Sequence, residues 1–305
     1  MLGLLVRGMD LVTGIVVVMV SISAGILGSL LGLGGGFIIV PALAFMGIEP
    51  SRIAGTSMFT VLSTSTSSTI SYAMQGRGSG RRGEGEEKEG GEGGSDVGGD
   101  GDNSMGEGDG SNDSRRKGMR GGMGRIDYAT ALGLAVFASP GAVLGAYSSS
   151  LLDLSSFKLY FALLLVGVAV HILMRPYYHI GGERYPRQIS YAVSFFSGFV
   201  ASLFGVGGGA ILVPMMLMVL RMDMHVTVPT VHLIIVVSSI SGVITHVMLG
   251  HPEYMLAAVL VGGTFMGAQI GSRLLGRIRD RLLRRLVAIA MIMVAARLIY
   301  DSVMG

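Results

Sequence analysis

The chain reads as an all-α integral membrane protein: two homologous halves of about four to five membrane helices each, eight to ten membrane segments in all. The halves are expected to be pseudo-two-fold symmetric, with helices interrupted by glycine and proline. Three observations predict this. Half of the residues are hydrophobic and only 14% are charged, where a soluble domain carries about 25% charge. The charges are clumped, which leaves apolar runs near 11–33, 53–75, 128–150, 157–174, 188–206, 226–248, 254–275 and 281–300. Each approaches the roughly 20 helical residues that a hydrocarbon core requires. And one ten-residue segment occurs twice.

That segment is Gly32-Leu33-Gly34-Gly35-Gly36-Phe37-Ile38-Ile39-Val40-Pro41, which returns as Gly205-Val206-Gly207-Gly208-Gly209-Ala210-Ile211-Leu212-Val213-Pro214 at an offset of 173. Seven of the ten positions are identical. Glycine adds backbone freedom and proline removes a donor, so each copy interrupts a helix. Two short apolar stretches, 36–47 and 209–221, follow the triplets. At twelve or thirteen residues they make roughly 18–20 Å of helix, which suits half-membrane or tilted pieces.

The elements then follow in order. Residues 11–76 form the first part of repeat 1. The apolar start is not read as a cleaved leader, because Ser21, Gly25 and Gly32 already match Ser194, Gly198 and Gly205. Residues 77–124 are an insertion. Gly141 and Gly145 match Gly267 and Gly271 at an offset of 126, and 173 − 126 leaves 47 residues extra in the first half. Residues 77–125 hold nine Lys/Arg, eleven Asp/Glu and glycine at more than a third of positions, a composition that cannot form a core and predicts disorder. Asp100, Asp102 and Asn103 hint at a calcium loop, but Met105 and Ser111 stand where such a loop needs glycine and glutamate. Residues 125–174 complete repeat 1, 175–187 link the halves, and 188–301 form repeat 2. The stretch Arg273 to Arg285 has six arginines against Asp280, so it is expected in the cytoplasm of a multi-pass cell-membrane protein. If 36–47 and 209–221 cross, each half has five spans and the halves are inverted; if they fold back, the crossing count changes and the parity of the halves stays open.

The candidate site residues are the triplets Gly34, Gly35, Gly36 and Gly207, Gly208, Gly209, with Pro41, Pro214 and Pro229 as helix-breaking residues. A helix restarting inside a membrane presents free N–H groups and a positive dipole end, which is an anion site. Close helix packing through glycine is the competing reading. Beside the breaks lie hydroxyl-rich segments: Gly55-Thr56-Ser57, Thr60 and the run Ser63 to Thr69, against Val228-Pro229-Thr230, His232, Ser238, Ser239, Ser241 and Thr245. These read as helix glue or as a wall for an oxyanion. Thr56, Ser57, Thr230 and His232 are the residues carried forward. His232 and, less so, His246 are the intramembrane histidines that invite a proton or ligand role. On this alignment position 59 is the first-half equivalent of His232. Gln269 is placed to face a polar cavity. The Gly-x-x-x-Gly pairs at 141/145 and 267/271 are read as packing.

Several classes fall away. There is no cysteine, so disulfides, thiolate metal sites and cysteine nucleophiles are excluded. No metal site, cofactor or catalytic set is expected, and the chain is not read as an enzyme. Gly205-x-Gly207-x-x-Ala210 fits a dinucleotide motif only formally, because a membrane segment precedes it and Phe37 takes the alanine position in the first copy. The net charge of +3 follows from basic membrane loops and not from nucleic-acid binding.

Taken together, the two glycine segments, Gly55-Thr56-Ser57 and the Gly141/Gly145 and Gly267/Gly271 helices resemble the TauE/SafE family of membrane transporters. The resemblance covers both halves and omits the insertion. It departs at Val228-Pro229-Thr230, where a Gly/Ala-Thr-Ser type sequence is usual. It implies movement of sulfur-containing anions such as sulfite, sulfoacetate or other organosulfonates. The expected partners are a small anionic solute, the bilayer and a possible second copy of the chain. The rival readings are a passive anion channel and an assembly or scaffold protein.

Overall fold

The computed structural model describes residues 11–89, 126–174, 187–220, 222, 224–274 and 280–304. Among the described residues there are ten α-helices and no strand. They are α1 (Leu11–Leu31), α2 (Gly36–Phe45), α3 (Pro50–Glu89), α4 (Tyr128–Ser149) and α5 (Leu154–Met174), then α6 (Arg187–Phe204), α7 (Gly209–Met218), α8 (Met224–Met248), α9 (Tyr254–Leu274) and α10 (Asp280–Met304). Five contain stretches long and apolar enough to cross a membrane: α1, α4, α5, α8 and α9. The outer surface carries Val136, Leu163, Met266 and Met293 exposed, while Ser65, Ser68, Thr264 and His232 are buried. An apolar exterior around a hydroxyl-lined interior belongs to a protein whose solvent is lipid. The molecule is a multi-pass membrane protein.

The short helices α2 and α7 have ten residues each, about 15 Å, or half of a roughly 30 Å core. Helix α3 continues to Glu89, into the glycine-rich segment, and 90–125 lie outside the described residues. So do 175–186, most of the expected linker, and Arg277 and Arg279 of the arginine-rich stretch.

Packing exchanges the two halves. Helix α1 packs on α9, and α6 packs on α4. Helix α3 packs on α9, and α8 packs on α4; α5 packs on α10. The later helices of each half therefore lie on the earlier helices of the other. Small residues explain the closest pairs. A methyl group at Gly145 would stand 2.9 Å from Leu203 N and closer still to the Phe199 carbonyl. Gly141 and Gly198 meet the partner backbone in the same α4–α6 seam. Gly25, Gly267 and Gly271 do this between α1 and α9. Without a hydrophobic force between helices in lipid, such backbone approach gives the dispersion contact that holds them.

Capping residues set the helix starts. Asp127 accepts from Thr130 N at 3.1 Å, the N-cap of α4. Its own N–H donates to Thr230 Oγ1 at 3.1 Å, and Glu253 N donates to Thr56 Oγ1 at 3.0 Å. Thus the entry to α4 is tied to α8, and the entry to α9 to α3. Arg52 strengthens the second tie by pairing with Glu253 and Glu49.

Candidate functional site

Both glycine breaks have one backbone design. Gly32 and Gly34 lie at φ +72° and +79°, and Gly205 and Gly207 at +74° and +76°. Only glycine adopts that left-handed region without steric cost. Past each helix end, Leu33 N bonds to Gly28 O at 3.1 Å and Val206 N to Ala201 O at 3.0 Å. This is the bond that closes a helix around a left-handed glycine. The prolines do not break helices. Pro41, Pro214 and Pro229 all lie inside helices, in α2, α7 and α8. Each stands in the second turn, where it removes a single backbone bond while the helix continues.

The two breaks meet. A methyl group at Gly36 would collide with the carbonyl of Gly205 and stand 2.6 Å from Val206 Cα. One at Gly209 would collide with the carbonyl of Gly32. One at Gly34 would lie 3.3 Å from Val206 O, and one at Gly207 would lie 2.6 Å from Val61 Cγ1. So the triplets form a backbone-on-backbone crossing between the halves. Neither α2 nor α7 has a side-chain cap. Gly35 faces Thr64 and Thr264, and Gly208 faces Ser197, whose hydroxyl donates to Gly208 O at 2.8 Å.

The hydroxyl run of α3 divides by face. Ser63 donates to Val261 O at 3.0 Å and Ser67 to Phe265 O at 2.9 Å. Gln269 Nε2 donates to Ser67 O at 3.3 Å, and Gln75 Nε2 to Ser272 O at 3.2 Å. These are glue between α3 and α9, and Gln269 belongs to that ladder. Val61, Ser65, Ser68 and Tyr72 are spaced by four, three and four residues, one stripe of a helix, and all four are fully buried. At one end of the stripe Val61 touches the crossing. At the other, Tyr72 Oη donates to Ser29 O at 2.9 Å, and His232 Nε2 lies 3.2 Å from that same oxygen. The rings of Tyr72 and His232 are 5.9 Å apart.

A carbonyl only accepts, so His232 carries its proton on Nε2 and presents a lone pair at Nδ1. That Nδ1 is buried without a hydrogen-bond partner, and so are Ser65 Oγ, Ser68 Oγ and Thr69 Oγ1. An unpaired buried polar group costs about 1–3 kcal/mol, so four along one buried stretch of α3 and its neighbour His232 call for an explanation.

The other expected residues sit elsewhere. Thr56 and Thr230 hold the α9 and α4 entries. Ser57 donates to Ile53 O at 2.7 Å and lies against Gly205. These contacts also correct the repeat register. Thr56 matches Thr230, an offset of 174 in place of 173, because the connection before α8 is one residue longer than that before α3. His232 then corresponds to Met58, not to position 59, and Tyr72 corresponds to His246. Both Tyr72 and His246 bond the equivalent carbonyl, Ser29 O and Ser202 O. The residues that sequence reasoning passed over are Tyr72 and the individual choice of Ser65 and Ser68. The four-three-four spacing of Val61, Ser65, Ser68 and Tyr72 puts them on one stripe of α3, but the burial of that stripe shows only in the structure. Among the described residues no group of three His, Cys, Asp or Glu could hold a metal.

A family model described as "Sulfite exporter TauE/SafE" matches residues 17–83 and 118–298. The chain is 24% identical over 316 residues to a "Probable membrane transporter protein YunE" of Bacillus subtilis (strain 168), covering 95% of this chain and 98% of that one. It is 25% identical over 285 residues to a "Probable membrane transporter protein ORF9" of a Sinorhizobium species, covering 91% and 89%. Over 53 residues it is 47% identical to "Sulfite exporter TauE/SafE family protein 2" of Arabidopsis thaliana, 17% of this chain and 12% of that one. No solved structure matches it.

Proposed function

The chain belongs to the sulfite exporter TauE/SafE family of membrane transporters, and we propose that it moves small sulfur oxoanions or organosulfonates across the cell membrane by alternating access. The observation that carries this reading is the set of unpartnered buried atoms along the stripe that runs from the glycine crossing to His232: Ser65 Oγ, Ser68 Oγ and His232 Nδ1. The two hydroxyls supply donors to oxyanion oxygens. The Nδ1 lone pair accepts the O–H of a protonated species such as hydrogensulfite. The uncapped start of α2, with Gly34, Gly35 and Gly36, adds a positive dipole end from the first half. Gly207, Gly208 and Gly209 supply the same from the second. No buried arginine is needed, since backbone N–H groups and hydroxyls suffice for a singly charged oxyanion.

In this reading the halves form a pseudo-two-fold pair that rocks about the crossing, where backbone meets backbone. The arginine-rich stretch between α9 and α10 faces the cytoplasm. The test is labelled sulfite uptake into proteoliposomes, with wild type beside S65A/S68A. Removing unpartnered hydroxyls leaves the fold intact or more stable. Losing two hydrogen bonds to the solute weakens its uptake about tenfold. Uptake unchanged in the double variant rejects this site, and no saturable uptake of any sulfur oxoanion by wild type rejects the function.

A further inference from the structure

A second polar chain lies away from the crossing, at the junction of α8 and α9. Ser150 Oγ, at the exposed end of α4, is 3.0 Å from His251 Nε2. His251 Nδ1 is 2.9 Å from His246 Nδ1. His246 Nε2 is 3.1 Å from Ser202 O and 3.3 Å from Ser202 Oγ. His251 is half-buried and His246 fully buried.

The end of the chain fixes its direction. Ser202 O can only accept, so His246 bears its proton on Nε2 and offers a lone pair at Nδ1. His251 must then donate from Nδ1, which leaves its Nε2 to accept from the Ser150 hydroxyl. Both rings are neutral and every ring nitrogen is used.

This arrangement takes one further proton without losing a bond. A proton from water binds the Nε2 lone pair of His251, and that N–H turns to the Ser150 oxygen. His251 passes its Nδ1 proton to the Nδ1 lone pair of His246 and is neutral again, its remaining proton on Nε2. His246 is then the imidazolium, with Nδ1–H toward His251 and Nε2–H still on Ser202 O. A second proton is refused, because two N–H groups would face each other across 2.9 Å.

We propose that His251 and His246 form a one-proton loading site that carries a proton from the membrane boundary to His246, whose Nε2 lies against Ser202, three residues before the glycine Gly205. Its coupling to solute movement rests on the transport function proposed above. The charged and titratable groups at this end of the surrounding elements are Glu49 and Arg52 before and within α3, Tyr147 and Asp153 around the end of α4, Lys158 early in α5, Glu253 and Tyr254 where α9 begins, and Arg297 and Asp301, which pair with each other, late in α10. Arg52 is committed to Glu49 and Glu253, and Asp153 accepts from Ser156 N at 3.0 Å. Among the described residues none of them bonds either imidazole. Partial burial also holds His251 below the ordinary histidine range, so the site loads on the acid side of neutrality.

The test uses full-length protein with ¹⁵N-labelled histidine in nanodiscs, followed by NMR between about pH 5 and 8. In wild type the two rings titrate together and take up one proton between them. In H251Q, His246 no longer titrates in this range. In H246Q, whose amide N–H still serves Ser202 O, His251 titrates alone. Independent full protonation of both rings, or an unchanged His246 titration in H251Q, overturns the site. Sulfite uptake then tests coupling, by comparing wild type with H246Q as the boundary at His251 is acidified. Both proteins meet the same sulfite species, so their difference isolates the histidines. Equal acid responses overturn the coupling. Absence of uptake by wild type counts against the transport reading, and the NMR titration still decides the proton site.

Discussion

The contact of α3 with α9 and the contact of α8 with α4 occupy matching places in the two halves, yet their interiors differ. In the first, Ser63, Ser67, Gln75 and Gln269 reach across to the partner helix. In the second, Val231, Ile234 and Ile235 meet Ala131, Leu134, Ala135 and Ala138 in one apolar cluster. There the hydroxyls of Ser238 and Ser239 bond only their own helix. The two halves share one backbone crossing and differ in their chemistry. The first-half helix carries polar groups, and three unpartnered atoms, those of Ser65, Ser68 and Thr69, belong to it. The second supplies packing and one histidine.

The largest effects test what the halves share. Gly36→Ala and Gly209→Ala each force a methyl group into backbone of the other half. We expect either to cost about 4 kcal/mol or more, read as loss of monodisperse protein after extraction. If one is tolerated, the crossing is not mutual. The next effect tests the difference. S63A/S67A removes two bonds between α3 and α9, at about 0.6 kcal/mol each, whereas S238A/S239A should leave thermal stability unchanged. Equal shifts for both double variants would erase the contrast between the two contacts. The smallest effect comes from His251, whose folded-state pKa is depressed by burial. As pH falls below about 6.5, the unfolded chain takes up a proton that the folded loop resists. Stability therefore falls on acidification, and H251Q should flatten that slope in a Tm-against-pH series.

Much of the architecture was legible in the amino-acid order, because a membrane demands long apolar runs and each break needs glycine at fixed places. Helices α2 and α7 follow directly from the triplets, with the half-membrane length expected. The prolines misled, since a proline in the second turn of a helix removes one donor and does not stop it. The register of α8 was also one residue off. The extra residue lies in the connection before α8, where no repeated residue marks it. Only the matching bonds of Thr56 and Thr230 reveal it. The candidate site was visible as a dense hydroxyl run but not resolved into parts. Adjacent serines on a helix point about 100° apart, so Ser67 binds α9 while Ser68 does not. Which side faces a partner depends on the neighbouring helix, and a single sequence does not contain that orientation.

The exchanged packing also bears on how the chain is made. Helices α4 and α6 emerge close together, within one stretch of about 60 residues from midpoint to midpoint. The midpoint of α9 follows that of α1 by about 240 residues. At ribosomal speeds of about 5–20 residues per second, α1 stands without its main partner for roughly 12 to 50 s. Its small-residue face toward α9, Ser21, Gly25 and Ser29, is meanwhile open to lipid or to a guardian in the membrane. Slowing synthesis should therefore harm the first helix more than any in the second half.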